Sequence, residues 1–427
     1  MPTDYRRATD FLRQALGSRS AGDLERLRPR TGAMPPKVPG ASAVTTEAID
    51  ERWALNAMPK AARGELADAR TIEQRDAYAR SIENFIGTVK VPVGLAGPLR
   101  VNGLHAHGDY YVPLATTEAA LVASYSRGAQ VVSEAGGCAA LLLNEGVSRA
   151  PGFAFGTLGE AAHFAAWAAS TVDRFKSVAD ATTRYGRLLD MGLEVEGNHV
   201  YLEFVFTTGD ASGQNMVTIA TEAICRDIVE HAPVRPRYWF VEANLSGDKK
   251  ATTHSFMSVR GKKVAAEVVI PAALLTERLH TTAAAMIDYW RMSALGGVMS
   301  GSIGVHGHYA NGLAALFIAC GQDAACVAEA AVGVTRFEPT EDGGLYVSVT
   351  LPNVIVGTVG GGTRLPSQHA CLEILGLAGA DCARAFAELT AALALAGELS
   401  ITAALTAGQF TEAHHRLARG SAADTRK

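Results

Sequence analysis

The chain has 427 residues, of which 48% are hydrophobic and 19% charged, a composition typical of a folded globular protein rather than of a disordered chain or a coiled coil. Its length exceeds the roughly 250–300 residues that one hydrophobic core usually supports, so we expect more than one core. Lysine and arginine number 39 against 43 aspartates and glutamates, and the net charge of −4 excludes a global basic field that would hold nucleic acid or an anionic membrane.

No stretch of the sequence predicts membrane insertion or secretion. The longest apolar runs, 313–320 and 391–396, are shorter than the ~18–20 residues that a membrane helix needs. The first ten residues mix acids and bases and lack the layout of a secretory signal, so we expect a cytoplasmic protein with no membrane partner. The six cysteines are scattered without a CxxC pair, which predicts reduced, buried thiols and no metal site.

The first 50 residues are rich in Arg, Pro, Gly and Ser and predict a helical or flexible lead-in that packs at the periphery. From residue 83 the composition changes to apolar residues separated by glycines and prolines. Glycines and prolines interrupt the apolar residues at 91–99, which predicts a tight loop with close backbone approach rather than a long element.

Hydrophobic periodicity predicts a β-α-β-β-α-β unit in the middle of the chain. Its predicted strands are 150–155, 187–196, 198–207 and 237–242, and its predicted helices are 160–176 and 215–231. This order is the ferredoxin-like split βαβ pattern. From residue 271 onwards the chain is rich in Ala, Gly and Leu, with predicted helices at 273–295, 312–331 and 383–419.

We therefore expect an α+β protein with a helix-rich large domain and an inserted ferredoxin-like small domain. The predicted bounds are 1–50 for the lead-in, 51–147 and 243–427 for the large domain, and 148–242 for the small domain.

Two glycine-containing segments are candidate ligand loops. The strand at 201–206 runs into a turn with Asp210, Ser212, Gly213 and Asn215 and then a helix, and a helix N-terminus can bind an anion. The alternative is a plain turn capped by Asp210 or Ser212, and no GxGxxG fingerprint is present. The segment 357–363 is too glycine-dense for a helix or strand and suits either close ligand approach or a flexible loop.

Charged residues in unusual settings are the next candidates. Lys249 and Lys250 follow Asp248 at the predicted domain junction, where ligands often bind, although such a run can also be a solvated surface. Asp323 lies in apolar sequence; a buried carboxylate there needs a partner, for which a lysine is the natural candidate, whereas an exposed Asp at a helix turn is the alternative.

Glu118 and the histidines near the chain end are also candidates for acid–base chemistry. Glu118 follows two threonines, and a Thr N-cap with a first-turn glutamate explains it without chemistry. That placement would stabilise the carboxylate and oppose a raised pKa. His414 and His415 suit either a proton donor or an exposed basic helix end.

Taken together, these segments stand in the order found in one family. They are 83–87 (ENFIG), 92–99 (PVGLAGPL), 116–118 (TTE), 248–250 (DKK), 321–325 (GQDAA), 357–363 (GTVGGGT) and His414. From about residue 70 to 420 the chain resembles 3-hydroxy-3-methylglutaryl-CoA (HMG-CoA) reductase, most closely the soluble catalytic portion of the biosynthetic, NADPH-using branch.

The resemblance implies an oxidoreductase of the mevalonate pathway, which leads to isoprenoids. It would reduce the CoA thioester to mevalonate and CoA by two hydride transfers from NADPH. Lys249 would stabilise the thioester oxyanion, Asp323 would position Lys249, His414 would protonate the CoA thiolate, and Glu118 would act as general acid on mevaldehyde. The family also implies a homodimer or homotetramer with active sites at subunit interfaces.

The resemblance also implies binding residues. Those for substrate are Ser124, Arg127, Arg149, Asp248, Lys250, His308 and Asn311. Those for the cofactor are Asp210, Ser212, Gly213, Asn215, Gly360, Gly361, Gly362 and, for the 2′-phosphate, Arg419.

The chain departs from the family pattern at several positions. A substrate-binding lysine is replaced by Met292 beside Arg291, and the methionines usual in the cofactor segment are Ser212 and Gln214. Gly420 stands where some relatives carry a phosphorylatable serine, so that mode of control is expected to be absent.

Three other functions remain open at this point. One is NAD-dependent catabolic oxidation of mevalonate on the same fold. Another is an acyl-CoA transferase or thioesterase using Cys138 or Cys320 with His414. A non-catalytic CoA-binding protein is disfavoured because all four catalytic residue types are present in order.

Overall fold

The computed structural model describes residues 32–55 and 58–408, with a few isolated positions before residue 32. Numbered from residue 46, its α-helices are α1 (Thr46–Trp53), α2 (Lys60–Leu66), α3 (Ala69–Glu73), α4 (Leu121–Glu134), α5 (Leu158–Ser170), α6 (Val172–Asp180), α7 (Gln214–His231), α8 (Thr253–Met257), α9 (Ala272–Glu277), α10 (Ala283–Ser300), α11 (Tyr309–Ala319), α12 (Val327–Ala330), α13 (Pro366–Ile374) and α14 (Ala383–Thr406). Short 3-10 helices occupy Arg75–Tyr78, Ala324–Cys326 and Gly361–Arg364.

The described strands are β1 (Val93–Gly103), β2 (His107–Ala115), β3 (Cys138–Arg149), β4 (Gly152–Ala154), β5 (Arg187–Glu196), β6 (His199–Thr207), β7 (Tyr238–Phe240), β8 (Gly261–Ile270), β9 (Gly304–Val305), β10 (Gly333–Pro339) and β11 (Leu345–Val354). With the helices they give the α+β fold class that the sequence predicts.

A mixed sheet runs in the order β2-β1-β3-β8-β11-β10-β9. Its neighbours are antiparallel except for the parallel pairs β1–β3 and β10–β9. Helix α14 is buried along most of its length and packs against this sheet and against α4. From residue 271 onwards the sequence predicts only helices, so strands β9, β10 and β11 are missed, although β11 alternates buried and half-buried positions with the period of a strand.

A second set of strands has the order β7-β4-β6-β5, with all neighbours antiparallel. This is the order of a split βαβ unit. Its core is a separate cluster made of residues between 147 and 239. Strand β3 joins the mixed sheet to the second set of strands, because its residues 139–146 pair with β8 and its residues 147–149 pair with β6.

The N-terminal segment packs more firmly than a peripheral lead-in. Val44, Ile49, Trp53 and Phe85 form a small core of their own. Helix α1 spans residue 50, the predicted end of the lead-in. The fully buried Arg52 on this helix donates hydrogen bonds to the carbonyls of Pro39, Ala41, Ala43 and Phe85.

The predicted loop at 91–99 is wrong, because strand β1 begins at Val93 and continues to Gly103. The pairing register with β2 shifts between Ala96 and Leu99. This irregularity accommodates Pro98, which has no N–H to donate to a ladder, and Gly97, whose φ of +142° few other residues adopt. Close backbone approach does occur at Gly94, where a Cβ would lie 2.8 Å from a methyl group of Val122.

Four predicted helices differ in extent from those in the structure. The helix predicted at 160–176 is divided between α5 and α6, and those at 273–295 and 312–331 are interrupted by turns at His280 and Gly321, both in the left-handed region. The helix predicted at 383–419 ends at Thr406 and turns at Gly408, while its last part lies outside the described residues.

Helix α14 corrects the expectation that every apolar run is too short for a membrane. By length and composition it alone among the described helices could cross one, and 83% of its most apolar window is buried inside the protein. Packing in the core therefore accounts for its apolar composition.

Candidate active site

A pocket of about 500 Å³ lies between the start of α7, the turn at 321–323 and the glycine-rich loop at 357–363. Its lining brings together predicted cofactor residues and the predicted catalytic Lys249 and Asp323. The lining residues are Ala211, Ser212, Gly213, Gln214, Asn215, Met216, Lys249, Gly321, Gln322, Asp323, Gly357, Val359, Gly360, Gly361, Gly362 and Thr363.

The N-terminus of α7 opens into this pocket without a side-chain cap from the described residues. Its N-cap is Gly213, in the left-handed region, where a Cβ would lie 2.1 Å from the side chain of Thr208. The alternative that Asp210 or Ser212 caps this helix is therefore wrong. Asp210 instead accepts hydrogen bonds from the backbone N–H groups of Asp381 (2.8 Å) and Ala383 (3.1 Å) at the start of α14.

The glycine-rich loop packs backbone against backbone on the turn before α7. The N–H of Thr358 donates to the carbonyl of Asp210 at 2.8 Å, and a Cβ on Gly357 would lie 2.5 Å from the nitrogen of Ser212. The side chain of Gln322 forms two hydrogen bonds with the backbone of Gly357, at 2.8 and 3.0 Å. These contacts hold the loop in place and leave no room for side chains at the contact.

Lys249 and Asp323 form an ion pair at the pocket, with 2.8 Å between Nζ and Oδ2. The hydrogen bond to Asp323 raises the pKa of the Lys249 ammonium. Burial alone would raise the pKa of Asp323, but hydrogen bonds from Lys249 and from the N–H of Ala325 outweigh burial and lower it. Both groups are therefore charged at neutral pH, and each keeps about two fifths of its side chain exposed.

Two arginines enclose the neighbouring Asp248. Arg149 lies 3.1 Å from Oδ2 of Asp248 and 3.2 Å from Glu242, while Arg260 lies 2.7 Å from Oδ1. The predicted substrate residues Arg149 and Asp248 thus bind each other in this chain. Lys250 is exposed and donates to the carbonyl of Asp248 at 2.9 Å.

Sequence reasoning missed Arg260 and Glu329, which form a fully buried pair. Glu329 stands in apolar sequence only six positions after Asp323, and the argument that a buried carboxylate needs a cation applied to it equally.

A second group of predicted residues lies at the other end of α11. The exposed Glu118 accepts a hydrogen bond from Asn311 at 3.4 Å, in the first turn of α11. Thr116 does not cap a helix, because its hydroxyl accepts from the N–H of Glu118 and α4 begins only at Leu121. The N-cap explanation of Glu118 is therefore wrong.

Three further predicted substrate residues contact helix α14. Ser124 and Arg127 both hydrogen-bond Ser400 on α14, at 3.0 and 2.7 Å. His308 stacks on Tyr125 and lies 3.3 Å from the buried carboxylate of Glu398.

A family model and several relatives match most of this chain. The sequence model described as "Hydroxymethylglutaryl-coenzyme A reductase" matches residues 48–419. The chain belongs to this family. It is 43% identical over 357 residues to 3-hydroxy-3-methylglutaryl-coenzyme A reductase of Pyrococcus horikoshii, covering 82% of this chain and 86% of that protein. The same enzyme of Methanocaldococcus jannaschii is 42% identical over 354 residues, covering 82% and 87%.

Solved structures agree on the fold. The class II 3-hydroxy-3-methylglutaryl-CoA reductase of Streptococcus pneumoniae, bound to NADPH in open conformations, matches with a TM-score of 0.64 at 20% identity. The match covers 81% of this chain and 84% of that chain. The family model and the two archaeal relatives confirm the resemblance inferred from the sequence segments at the level of the HMG-CoA reductase family, and the solved structure confirms the fold.

The structure shows the surroundings of two positions at which the chain departs from the family pattern. Gln214 donates to the thiol of Cys326 at 3.0 Å, a bond that a methionine could not make. Met292 is exposed, and Arg291 beside it pairs with Asp288 at 3.2 Å.

Cysteine chemistry finds no support in the structure. Cys138 and Cys320 are fully buried, and burial raises the pKa of both thiols, that of Cys138 to about 12. Neither can supply a thiolate nucleophile at neutral pH. Among the described residues no group of three or more His, Cys, Asp or Glu side chains could hold a metal. His414 and Arg419 lie outside the described residues.

Proposed function

We propose that this chain reduces HMG-CoA to mevalonate and CoA, consuming two NADPH and two protons. The single observation that carries the proposal is the charged Lys249–Asp323 pair on the wall of a pocket whose other walls are glycine-rich backbone. The membership of the chain in the HMG-CoA reductase family supports the same reaction.

The pocket suits the phosphate groups of a dinucleotide. An uncapped N-terminus of an 18-residue helix offers N–H donors and the positive end of the helix dipole. Gly213 and the loop at 360–362 let a ligand approach the backbone closely. NADPH supplies the hydride when bound there, and Ser212 and Asn215 would contact it. We assign the 2′-phosphate to Arg419, since a guanidinium forms paired hydrogen bonds with phosphate.

The protein's own groups handle the charges and protons of the two reductions. Lys249 stabilises the oxyanion that forms when the thioester carbonyl is reduced, and Asp323 holds its ammonium in place. The C–S bond then breaks, and His414 protonates the departing CoA thiolate. In the second reduction Glu118 gives its proton to the alkoxide formed from mevaldehyde.

Two separate hydrophobic cores support a division of the chain into two domains. We propose that residues 148–242 form the cofactor domain, inserted between residues 51–147 and 243–427 of the substrate domain. Lys249 and Lys250 would then lie where the chain returns from the small domain to the large one.

We further propose that each active site is completed by two subunits. Glu118 contacts the first turn of α11, whereas Asp323 follows the last turn, and the 11 residues of that helix span about 16 Å. Because these groups lie near opposite ends of one helix, we infer that they act on one carbonyl carbon only when they come from different subunits. A symmetric dimer, or a tetramer built from such dimers, would bring the Glu118 of one subunit to the Lys249–Asp323 pair of another.

Mixing of inactive variants tests this arrangement. Glu118→Gln and Lys249→Ala chains, unfolded and refolded together, should regain about a quarter of wild-type activity, because half the dimers then hold one intact site of two. As a matched control, Lys249→Ala mixed with Asp323→Asn should regain none, since both changes affect the same half-site. Failure of the first mixture, with dimers present, would contradict a shared site.

A further inference from the structure

Arg260 is a fully buried guanidinium held between two carboxylates. Its two terminal nitrogens lie 2.7 Å from Asp248 Oδ1 and 2.5 Å from Glu329 Oε2. Its backbone N–H donates to the side chain of Asn353 at 3.0 Å, directly before β8 begins at Gly261. The arginine side chain is 1% exposed, so it does not touch the pocket itself.

The two carboxylates belong to the two segments that carry the Lys249–Asp323 pair. Asp248 directly precedes Lys249, whose φ of +56° is in the left-handed region that a lysine seldom adopts. Glu329 lies on α12, which continues the 3-10 helix that Asp323 caps. One guanidinium therefore ties the segment holding the ammonium to the segment holding its carboxylate partner.

We propose that Arg260 is a positioning residue that sets the geometry of Lys249 and Asp323 through Asp248 and Glu329. The inference rests on the proposed function, in which that pair stabilises the oxyanion. The rigid, planar fork of arginine can hold two carboxylates at a fixed separation, whereas a lysine ammonium on a flexible stem cannot.

The competing explanation is that Arg260 only fills a buried space. Arg52 offers a matched control, because it too is fully buried and uses its guanidinium on several acceptors, but these are backbone carbonyls in the N-terminal core. Arg260→Lys and Arg52→Lys should lower the stability of the protein by similar amounts. Only Arg260→Lys also disturbs the contacts with Asp248 and Glu329 that we propose position Lys249 and Asp323.

The experiment measures kcat, the KM for NADPH and thermal unfolding for Arg260→Lys and Arg52→Lys, with activity normalised to the folded fraction. We expect Arg260→Lys to lower kcat by about tenfold to a hundredfold, the scale expected for a misplaced catalytic group, with little change in KM for NADPH. Arg52→Lys should keep its kcat. An unchanged kcat in folded Arg260→Lys, or an equal loss in Arg52→Lys, would overturn the inference.

Glu329→Gln tests the other contact and serves if Arg260→Lys does not fold. The amide keeps the shape of the side chain but weakens the charge-assisted bond, so kcat should fall in the same direction. A normal kcat in folded Glu329→Gln would count against the positioning role.

A double variant separates this inference from the proposed function. Adding Arg260→Lys to Lys249→Ala should lower the residual rate no further, because the group that Arg260 positions is already gone. A further loss of the same size would show that Arg260 acts elsewhere and would overturn the inference alone. Near-normal turnover of the single Lys249→Ala variant would instead remove Lys249 from the oxyanion role, whereas a wild-type chain without HMG-CoA-dependent NADPH oxidation would overturn the proposed function.

Discussion

The ammonium nitrogen of Lys249 lies 2.8 Å from Oδ2 of Asp323, and both side chains line the same pocket. The carboxylate raises the pKa of the lysine and fixes its direction, so the positive charge is already in place before a substrate carbonyl arrives. Charge that needs no rearrangement during the reaction is the most effective kind of transition-state stabilisation.

Removal of the Lys249 ammonium should therefore slow the reaction strongly. We expect Lys249→Ala to reduce kcat by about a hundredfold or more, the scale of one lost oxyanion stabiliser. Steady-state NADPH oxidation with HMG-CoA measures this loss. Lys90→Ala breaks a similar pair with Asp68 (2.9 Å) outside the pocket and should keep normal turnover. Equal rates for the two variants would remove Lys249 from the mechanism.

His414 should matter only while CoA is attached. We expect His414→Gln to lose reduction of HMG-CoA but to keep much of its activity on free mevaldehyde, because no thiolate departs in that half-reaction. Parallel assays with the two substrates provide the comparison. An equal loss on both would indicate a binding or folding defect rather than a missing proton donor.

Gly357 should be needed for cofactor binding. A Cβ there would lie 2.5 Å from the nitrogen of Ser212, so alanine must push the glycine-rich loop away from the turn before α7. We expect Gly357→Ala to raise the Kd for NADPH by about tenfold, equivalent to ~1.4 kcal/mol, in a fluorescence titration. Gly159→Ala, on the surface of α5, where a Cβ would meet Thr157 Oγ1 at an ordinary 3.8 Å, should bind NADPH normally. Tight binding by Gly357→Ala would place the cofactor elsewhere.

Glu398 should make stability depend on pH in the acid range. Burial opposes its charge, but hydrogen bonds from His308 and from backbone N–H groups hold its pKa below the ordinary value of 4.5. The unfolded chain therefore binds a proton at higher pH than the folded one, and the stabilisation is present above pH 4.5 and is lost as the pH falls through the lower, folded pKa.

Glu398→Gln should accordingly be less stable than wild type at pH 7 by about 1–3 kcal/mol, the cost of leaving buried donors poorly paired. Urea unfolding at pH 7 and at successively lower pH should show this difference shrinking below pH 4.5. Glu338→Gln, which alters an exposed pair with Arg336, should show almost no difference at either pH. A gap that stays constant or widens in acid would contradict the assignment.

The sequence alone predicted the small unit and the family well, because each depends on local patterns. Hydrophobic residues recur with a period of two in strand β6 and of about 3.6 in helix α7. The segments around Asp248 and Asp323 follow one another in the order found in the family. Strand β1 was missed because glycine and proline hide a strand whose register shifts where they occur.

Long-range partners were beyond the reach of the sequence. Nothing local indicates that Asp210 caps α14 or that Arg260 joins Asp248 to Glu329, since each contact depends on how separate segments pack. The partner of Asp323 was foreseen only as a lysine, from the cost of burying a carboxylate without a cation.

The stoichiometry of NADPH oxidation tests the proposed reaction most directly. With limiting HMG-CoA, the purified chain should oxidise about two NADPH per thioester and release one free CoA thiol and one mevalonate, because a thioester needs two hydrides to become an alcohol. An absence of HMG-CoA-dependent NADPH oxidation, or thiol release without it, would contradict the account.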